Sequence, residues 1–223
     1  MQARAGPQAV VDVVTARFGA SYIACESSYA VAAHATLDAW ANVLAQPGPW
    51  PDAVLIGCFG DPGLLAMRES ASSPVTGLAE AAFIAAAKHG RFAIVTGDER
   101  WGPMLQRLSQ ALGMEKSLAG IHTVAPTGAQ LSANPVWAHK LLAEACRDAA
   151  RRFDAQAVIL GGAGLAGMAG AIQGAVEVPV IDSVIAGTEL ALSDSLAKPE
   201  RVEPGFDTGW TNVSRELSRL AKK

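Results

Sequence analysis

Cysteine is scarce in this sequence, with three in 223 residues, at positions 25, 58 and 146. An odd number at wide spacing excludes a disulfide framework and fits a reducing compartment, so a cytoplasmic location is expected. The four histidines, His34, His89, His122 and His139, are scattered without HxxxH or HExxH spacing, and no CxxC occurs. Nothing in that pattern supplies a metal site. The phosphate-binding pattern GxxxxGK[ST] is missing too, which excludes a P-loop. Basic residues do not cluster: 18 Lys and Arg against 21 Asp and Glu leave a net charge of −3. Nucleic acid is therefore not an expected partner, because phosphate binding needs grouped cations. Long apolar runs are absent as well. The stretch Val75–Ala87 is broken by Gly77 and Glu80 and falls short of the ~18 residues of a membrane span. The opening MQARAGPQ lacks the apolar core of a signal peptide. Aromatics make up only 6%, and with so much alanine and glycine the composition suits helices packed closely on a sheet.

What is present alternates. Short β-branched runs bounded by Gly, Pro or Asp predict strands at Ala9–Val14 (AVVDVV), Asp52–Gly57, Arg91–Thr96, Ala155–Gly161 and Val178–Ile181. Helical periodicity predicts helices over Tyr29–Leu44 and Pro135–Phe153. The second has an apolar stripe of Val136, Leu141, Ala145 and Ala149 opposite Lys140, Glu144, Arg147 and Asp148. The tail Trp210–Leu220 reads as amphipathic. Strands alternating with helices predict an α/β fold with parallel sheets.

An internal repeat sharpens this. AVLIGCFGDPGLL with a later PV at Pro74–Val75 lies beside AVILGGAGLAGMA with PV at Pro179–Val180. In both, a buried strand ends in Gly, opens into a glycine-rich loop, enters a helix, and is followed by Pro-Val at the next strand. The expected architecture is two pseudo-symmetric Rossmann-like lobes, residues 1–90 plus 187–223 and residues 91–186. An active-site cleft is expected between the two loops, at the carboxyl ends of the strands.

Gly162-Ala-Gly164-Leu-Ala-Gly167 matches the dinucleotide fingerprint GxGxxG, with Asp182 closing a later strand. That fingerprint normally opens its βαβαβ unit, whereas here only about forty residues remain, too few to complete one. The preferred reading is a loop that offers backbone N–H groups to a small anionic or polarised substrate. In the first repeat, Cys58 stands opposite Gly162. A lone cysteine is ordinarily a small buried residue. At a strand-to-helix turn, however, a helix N-terminus would lower its pKa and make it a base or nucleophile. Cys146 lies inside an amphipathic helix and reads as core, as does Cys25.

GCFGDPGLLAMRE followed by PVTGLAEAA resembles the hydantoin racemases of the Asp/Glu racemase superfamily, and VILGGAGLAGMA followed by VPVIDSV resembles their second active-site segment. The resemblance runs from about Ala9 to about Leu190. It implies a racemase that needs no cofactor. A cysteine thiolate removes an acidic Cα proton on one face, a second thiol returns a proton on the other, and loop N–H groups hold the enolate. Cys58 matches the first cysteine. The resemblance places Phe59, Gly60, Ala163 and Gly164 as donors, Gly162 as the opposite wall, and Thr96 and Gly97 at a strand end opening on the cleft. For Thr96 a satisfied strand-end hydroxyl is an equal alternative. A small carboxylate or cyclic imide is the implied substrate, and the relatives' habit implies a possible homo-oligomer.

Two departures stand out. Gly161-Gly162-Ala163-Gly164 replaces the family's G-C-A-G, so the second thiol is missing. Another group fills the gap, or one base exchanges one enantiomer, or the reaction is decarboxylation of a malonate-type substrate with Cys58 as proton donor. An inactive member that only binds a small ligand is the remaining alternative. Second, nothing in MQARAGPQ matches the strand and Asn-Pro-Asn-Thr loop with which the family begins, so the chain is expected to start late in the first helix.

Overall fold

The computed structural model of the protein describes residues 1–126, 128–197 and 209–219. Its elements run α1 (Gln2–Ala5), α2 (Glu26–Leu44), β1 (Val54–Ile56), α3 (Leu64–Ser70), β2 (Val75–Gly77), α4 (Leu78–Ala87), β3 (Phe92–Gly97) and α5 (Trp101–Ala111). They continue with β4 (Leu118–Val124), α6 (Gly128–Ala133), α7 (Pro135–Arg152), β5 (Ala157–Leu160), α8 (Met168–Ile172), β6 (Val180–Asp182), α9 (Ser183–Ala197) and α10 (Arg215–Ser218). The alternation is the expected α/β pattern. The chain divides into two compact units. One comprises Met1, Gly57–Asp61 and Gly77–Glu189; the other comprises Gln2–Ile56, Pro62–Thr76 and Leu190–Lys223.

The first unit is built on a parallel sheet of order β4-β3-β5-β6. Its central strands are buried on both faces, as parallel sheets require. Ala93, Val95, Val158 and Leu160 point into one apolar cluster with Ala138, Leu142, Ala145, Cys146 and Ala149 of α7. The alternate side chains face the other way, where Phe92 stacks on Phe83 of α4 with ring centroids 5.3 Å apart. Helix α7 starts where Asn134 accepts the Trp137 N–H at 3.3 Å and Pro135 takes the first helical position. Its buried face is rotated from the expected stripe. Val136 is 84% exposed, because the step from Val136 to Leu141 overshoots one turn while Ala138, Leu142, Ala145 and Ala149 keep the 3.6-residue period. Strand β4 escaped sequence reading. It is only half-buried and carries Gly120, where a Cβ would meet the Phe153 ring.

The second unit buries Ala35, Trp40 and Ala41 of α2. The Trp40 indole N–H donates to the Ser70 carbonyl at 3.2 Å, and Leu217 of α10 is buried. Arg17 forks onto the Asp38 carboxylate at 3.0 and 2.9 Å. Burial pushes Asp38 up, but hydrogen bonds from Ser214 and Arg17 prevail and hold it below the usual carboxylate range. The expected strand Ala9–Val14 is not one. Val10 and Val13 stand in solvent, and the backbone pairs instead with the Gln2 side chain. Gln2 Nε2 donates to the Ala9 carbonyl, and Val11 N–H donates to Gln2 Oε1, both at 2.9 Å. A strand-forming composition makes no strand without a ladder partner. Of the amphipathic tail, Arg215–Ser218 forms α10, and Leu220 lies outside the described residues.

Candidate active site

The repeat read from sequence has a geometric counterpart. Val54 N–H donates to the Pro74 carbonyl at 2.8 Å, and Val158 N–H to the Pro179 carbonyl at 2.9 Å. Each strand then opens into a seven-residue loop, from Gly57 to Gly63 and from Gly161 to Gly167. Each loop closes on a left-handed glycine at the helix entry, Gly63 with φ 83° and Gly167 with φ 82°.

Cys58 is half-buried, and its Sγ lies 4.0 Å from the Phe59 carbonyl oxygen. The Asp61 N–H donates to the Cys58 carbonyl at 3.1 Å, which closes the turn around the thiol. Asp61 is buried with φ 54°, and its carboxylate accepts the Ala79 and Glu80 N–H groups at 2.9 and 2.8 Å. It therefore caps α4 from a distant loop, satisfying two donors at that helix end. The carboxylate occupies the place where a side chain on Gly77 would be. The expectation of a thiol acidified by a helix N-terminus is corrected here. Burial, and then the charge of Asp61, push the Cys58 thiol up from 9.0 to about 12. The helix after the loop begins only at Leu64, and the positive end of α4 is met by Asp61 rather than by sulfur. Cys146 is also pushed up to about 12, by burial alone. Cys25 caps α2, with its Sγ 3.5 Å from Ser28 Oγ.

Phe59 and Gly60 are buried. A Cβ built on Gly161 would fall in the Phe59 ring, and one on Gly60 in the Trp101 ring. The second loop is more open. Ala163 and Gly164 are exposed on a short 3-10 turn, whereas the Gly162 N–H donates to Ser183 Oγ at 3.3 Å. Gly162 has φ 145° and ψ 130°, which L side chains rarely adopt, and the nearest atom to a Cβ there is Leu165 Cγ at 3.5 Å. Thr96 is buried and its hydroxyl donates to the Gly161 carbonyl at 2.9 Å, while Gly161 N–H donates to the Val95 carbonyl at the same distance. Gly97 ends β3, buried. The loops meet through Phe59 and Gly161, with Thr96 beneath them.

Asp182, the acid of the apparent dinucleotide fingerprint, accepts the N–H groups of Gly167 at 2.6 Å, Val184 at 2.9 Å and Ile185 at 3.1 Å. Its oxygens cap α9 and hold the second loop. Asp182 stands at the start of the helix it caps, where a capping acid is ordinary, whereas Asp61 caps a helix that begins seventeen residues later. Sequence reasoning missed Ser183, because a serine at a helix start reads as an ordinary capping residue. Among the described residues no group of three or more His, Cys, Asp or Glu is placed to hold a metal ion, and no helix is long and apolar enough to cross a membrane.

Fold and site together define an α/β protein that presents one thiol in a pinned glycine loop, with a second glycine loop meeting it through Phe59 and Gly161. Residues 1–191 match the family described as Asp/Glu/hydantoin racemase, and the chain belongs to that family. It is 36% identical over 141 residues to a hydantoin racemase of Pseudomonas sp. (strain NS671) and 35% identical over 141 residues to that of Rhizobium meliloti. Each match takes in 63% of this chain, and it spans only 57% and 58% of those relatives' own length. Among solved structures, allantoin racemase from Pseudomonas fluorescens superposes with a TM-score of 0.83 at 25% identity, over 97% of this chain and 86% of that one. Allantoin racemase from Klebsiella pneumoniae gives 0.80 at 30%, over 98% and 89%. An arylmalonate decarboxylase shares the fold, with a TM-score of 0.59 at 18% identity over 81% of each chain.

Proposed function

We propose that the protein is a racemase that needs no cofactor and acts at the acidic Cα–H of a hydantoin- or allantoin-type cyclic ureide, with Cys58 carrying the proton. The observation that carries this reading is the placement of Cys58. It is the one thiol in either glycine loop, held by the Asp61 turn in a loop whose next residue, Phe59, packs its ring against Gly161 of the other. Removal of the Cα proton puts negative charge on the flanking carbonyl oxygen. Fixed N–H dipoles stabilise that charge without reorganising. Phe59, Gly60, Ala163 and Gly164 are the proposed backbone donors, and Gly162, Thr96 and Gly97 shape the floor beneath them. Cys58 rests as the thiol, a proton donor; to act as a base it must first pass that proton to water, which burial and the Asp61 charge oppose. With Gly162 in the second loop, no side chain there returns the proton, so inversion takes it from water on that face. Exchange is therefore faster from one enantiomer than from the other. The lobes and the cytoplasmic, oligomeric habit inferred from sequence belong to this same proposal.

Gly162 also favours a second reading, decarboxylation of a malonate-type acid. The Cα–CO2 bond breaks, CO2 leaves, its electron pair forms an enediolate, and Cys58 Sγ–H delivers the proton to Cα before being reprotonated by water. The apolar Leu165 beside Gly162 suits a departing CO2 more than a charged group. Chiral chromatography of hydantoin and allantoin enantiomers after incubation, with arylmalonates in parallel, separates the two. Inversion by wild type and none by Cys58→Ser supports the racemase; product from arylmalonates alone favours the lyase; neither defeats both.

A further inference from the structure

We propose that the Phe59 side chain is a strut that sets the separation between the Cys58 loop and the Gly162–Gly164 loop, and so decides which substituents the site accepts. The inference rests on the proposed function for what passes through the site, but its geometry stands apart from it. Phe59 is 5% exposed, so its ring faces the protein rather than a ligand. The ring occupies the volume that any side chain at Gly161 would need. Gly161 itself cannot yield. Its N–H is fixed to the Val95 carbonyl and its carbonyl to the Thr96 hydroxyl, both at 2.9 Å. The Trp101 ring lies against Gly60 in the same way, and Asp61 ties the next residue to α4. The Phe59 ring thus packs on the Gly161 backbone from a loop that is itself fixed at its next two residues. Cys58 and Gly162 are the immediate chain neighbours of the two ends, Phe59 and Gly161. A change in the size of either end moves the thiol relative to the second loop.

The test is a size exchange. Gly161→Ala adds one methyl where the ring sits, and Phe59→Leu removes ring volume. Each single variant is expected to slow Cα exchange about tenfold or more, since an ångström of misplacement costs up to about a hundredfold. The double variant is expected to recover most of the Gly161→Ala loss. The preference among hydantoins with small and large 5-substituents should shift between the two single variants, an effect that loss of fold alone would not produce. Circular dichroism and thermal melts exclude unfolded variants. Iodoacetamide labelling of Cys58, read by mass spectrometry at each cysteine, follows the same series without needing turnover. Its rate should change in Gly161→Ala and return in the double variant. A double variant no better than Gly161→Ala in both exchange and labelling overturns the strut. Wild type that exchanges no proton from any hydantoin or allantoin defeats the proposed function instead, and the labelling series still decides the strut.

Discussion

The loops Gly57–Gly63 and Gly161–Gly167 have equal length, the same closing glycine conformation and the same strand pairing behind them; their side chains do different work. The first is buried from Phe59 to Pro62 and carries the thiol; the second exposes Ala163 and Gly164 and carries no polar side chain. The carboxylates are exchanged as well. In the first repeat the acid, Asp61, sits in the loop and reaches the helix after the second strand, and Gly77 makes room for it. In the second repeat the acid, Asp182, sits in the position matching Gly77 and reaches back to the loop at Gly167. The same cap and the same loop anchor are thus obtained from opposite ends of the repeat. The consequence is chemical: Asp61 places negative charge near the thiol, and in the second loop no thiol stands where Asp182 would act on it.

The largest expected break in this comparison is Cys58→Ala, which makes the first loop as bare as the second. Proton exchange should fall by about 10²–10⁴-fold, the usual contribution of a positioned acid or base, with the melting temperature nearly unchanged. The reverse change, Gly162→Cys, gives the second loop a thiol. Leu165 leaves room at ordinary contact distance, but the backbone conformation costs about 1–3 kcal/mol. A lower melting temperature should accompany a gain in exchange from the slower enantiomer.

The fold was largely legible because buried strands and amphipathic helices have distinct periods. VILG at the start of the second repeat and PVTG after the first named their own positions. What was not legible depended on distant partners. AVVDVV has a strand's composition, yet its backbone binds Gln2. LAGIHTV was not read as a strand, and its Gly120 makes room for the Phe153 ring. In the site, Cys58 was found by motif, but its protonation state was misread, since the thiol is buried and the nearby Asp61 carboxylate is held in place by capping a helix seventeen residues further on. No local pattern announces that contact.

Asp61→Asn and Asp182→Asn sharpen the carboxylate exchange. Each should destabilise by about 1–2 kcal/mol through a weakened cap, seen in chemical denaturation. Only Asp61→Asn should also move Cys58. Removing the charge that raises this thiol lowers its pKa, so the pH at which iodoacetamide alkylation reaches half its maximum should drop below that of wild type. Asp182→Asn should leave that midpoint in place. The smallest effect expected is that of Thr96→Val, which deletes the hydroxyl beneath Gly161 at about 1 kcal/mol. A modest, equal slowing of both enantiomers should follow.

The most direct measurement is deuterium uptake at Cα from each enantiomer of a 5-substituted hydantoin in D2O, by NMR, with wild type and Cys58→Ala side by side. The account predicts uptake that is faster from one enantiomer and is lost from both in Cys58→Ala. Uptake that persists unchanged in Cys58→Ala would contradict it, because the proton would then travel through a group other than the thiol of the first loop.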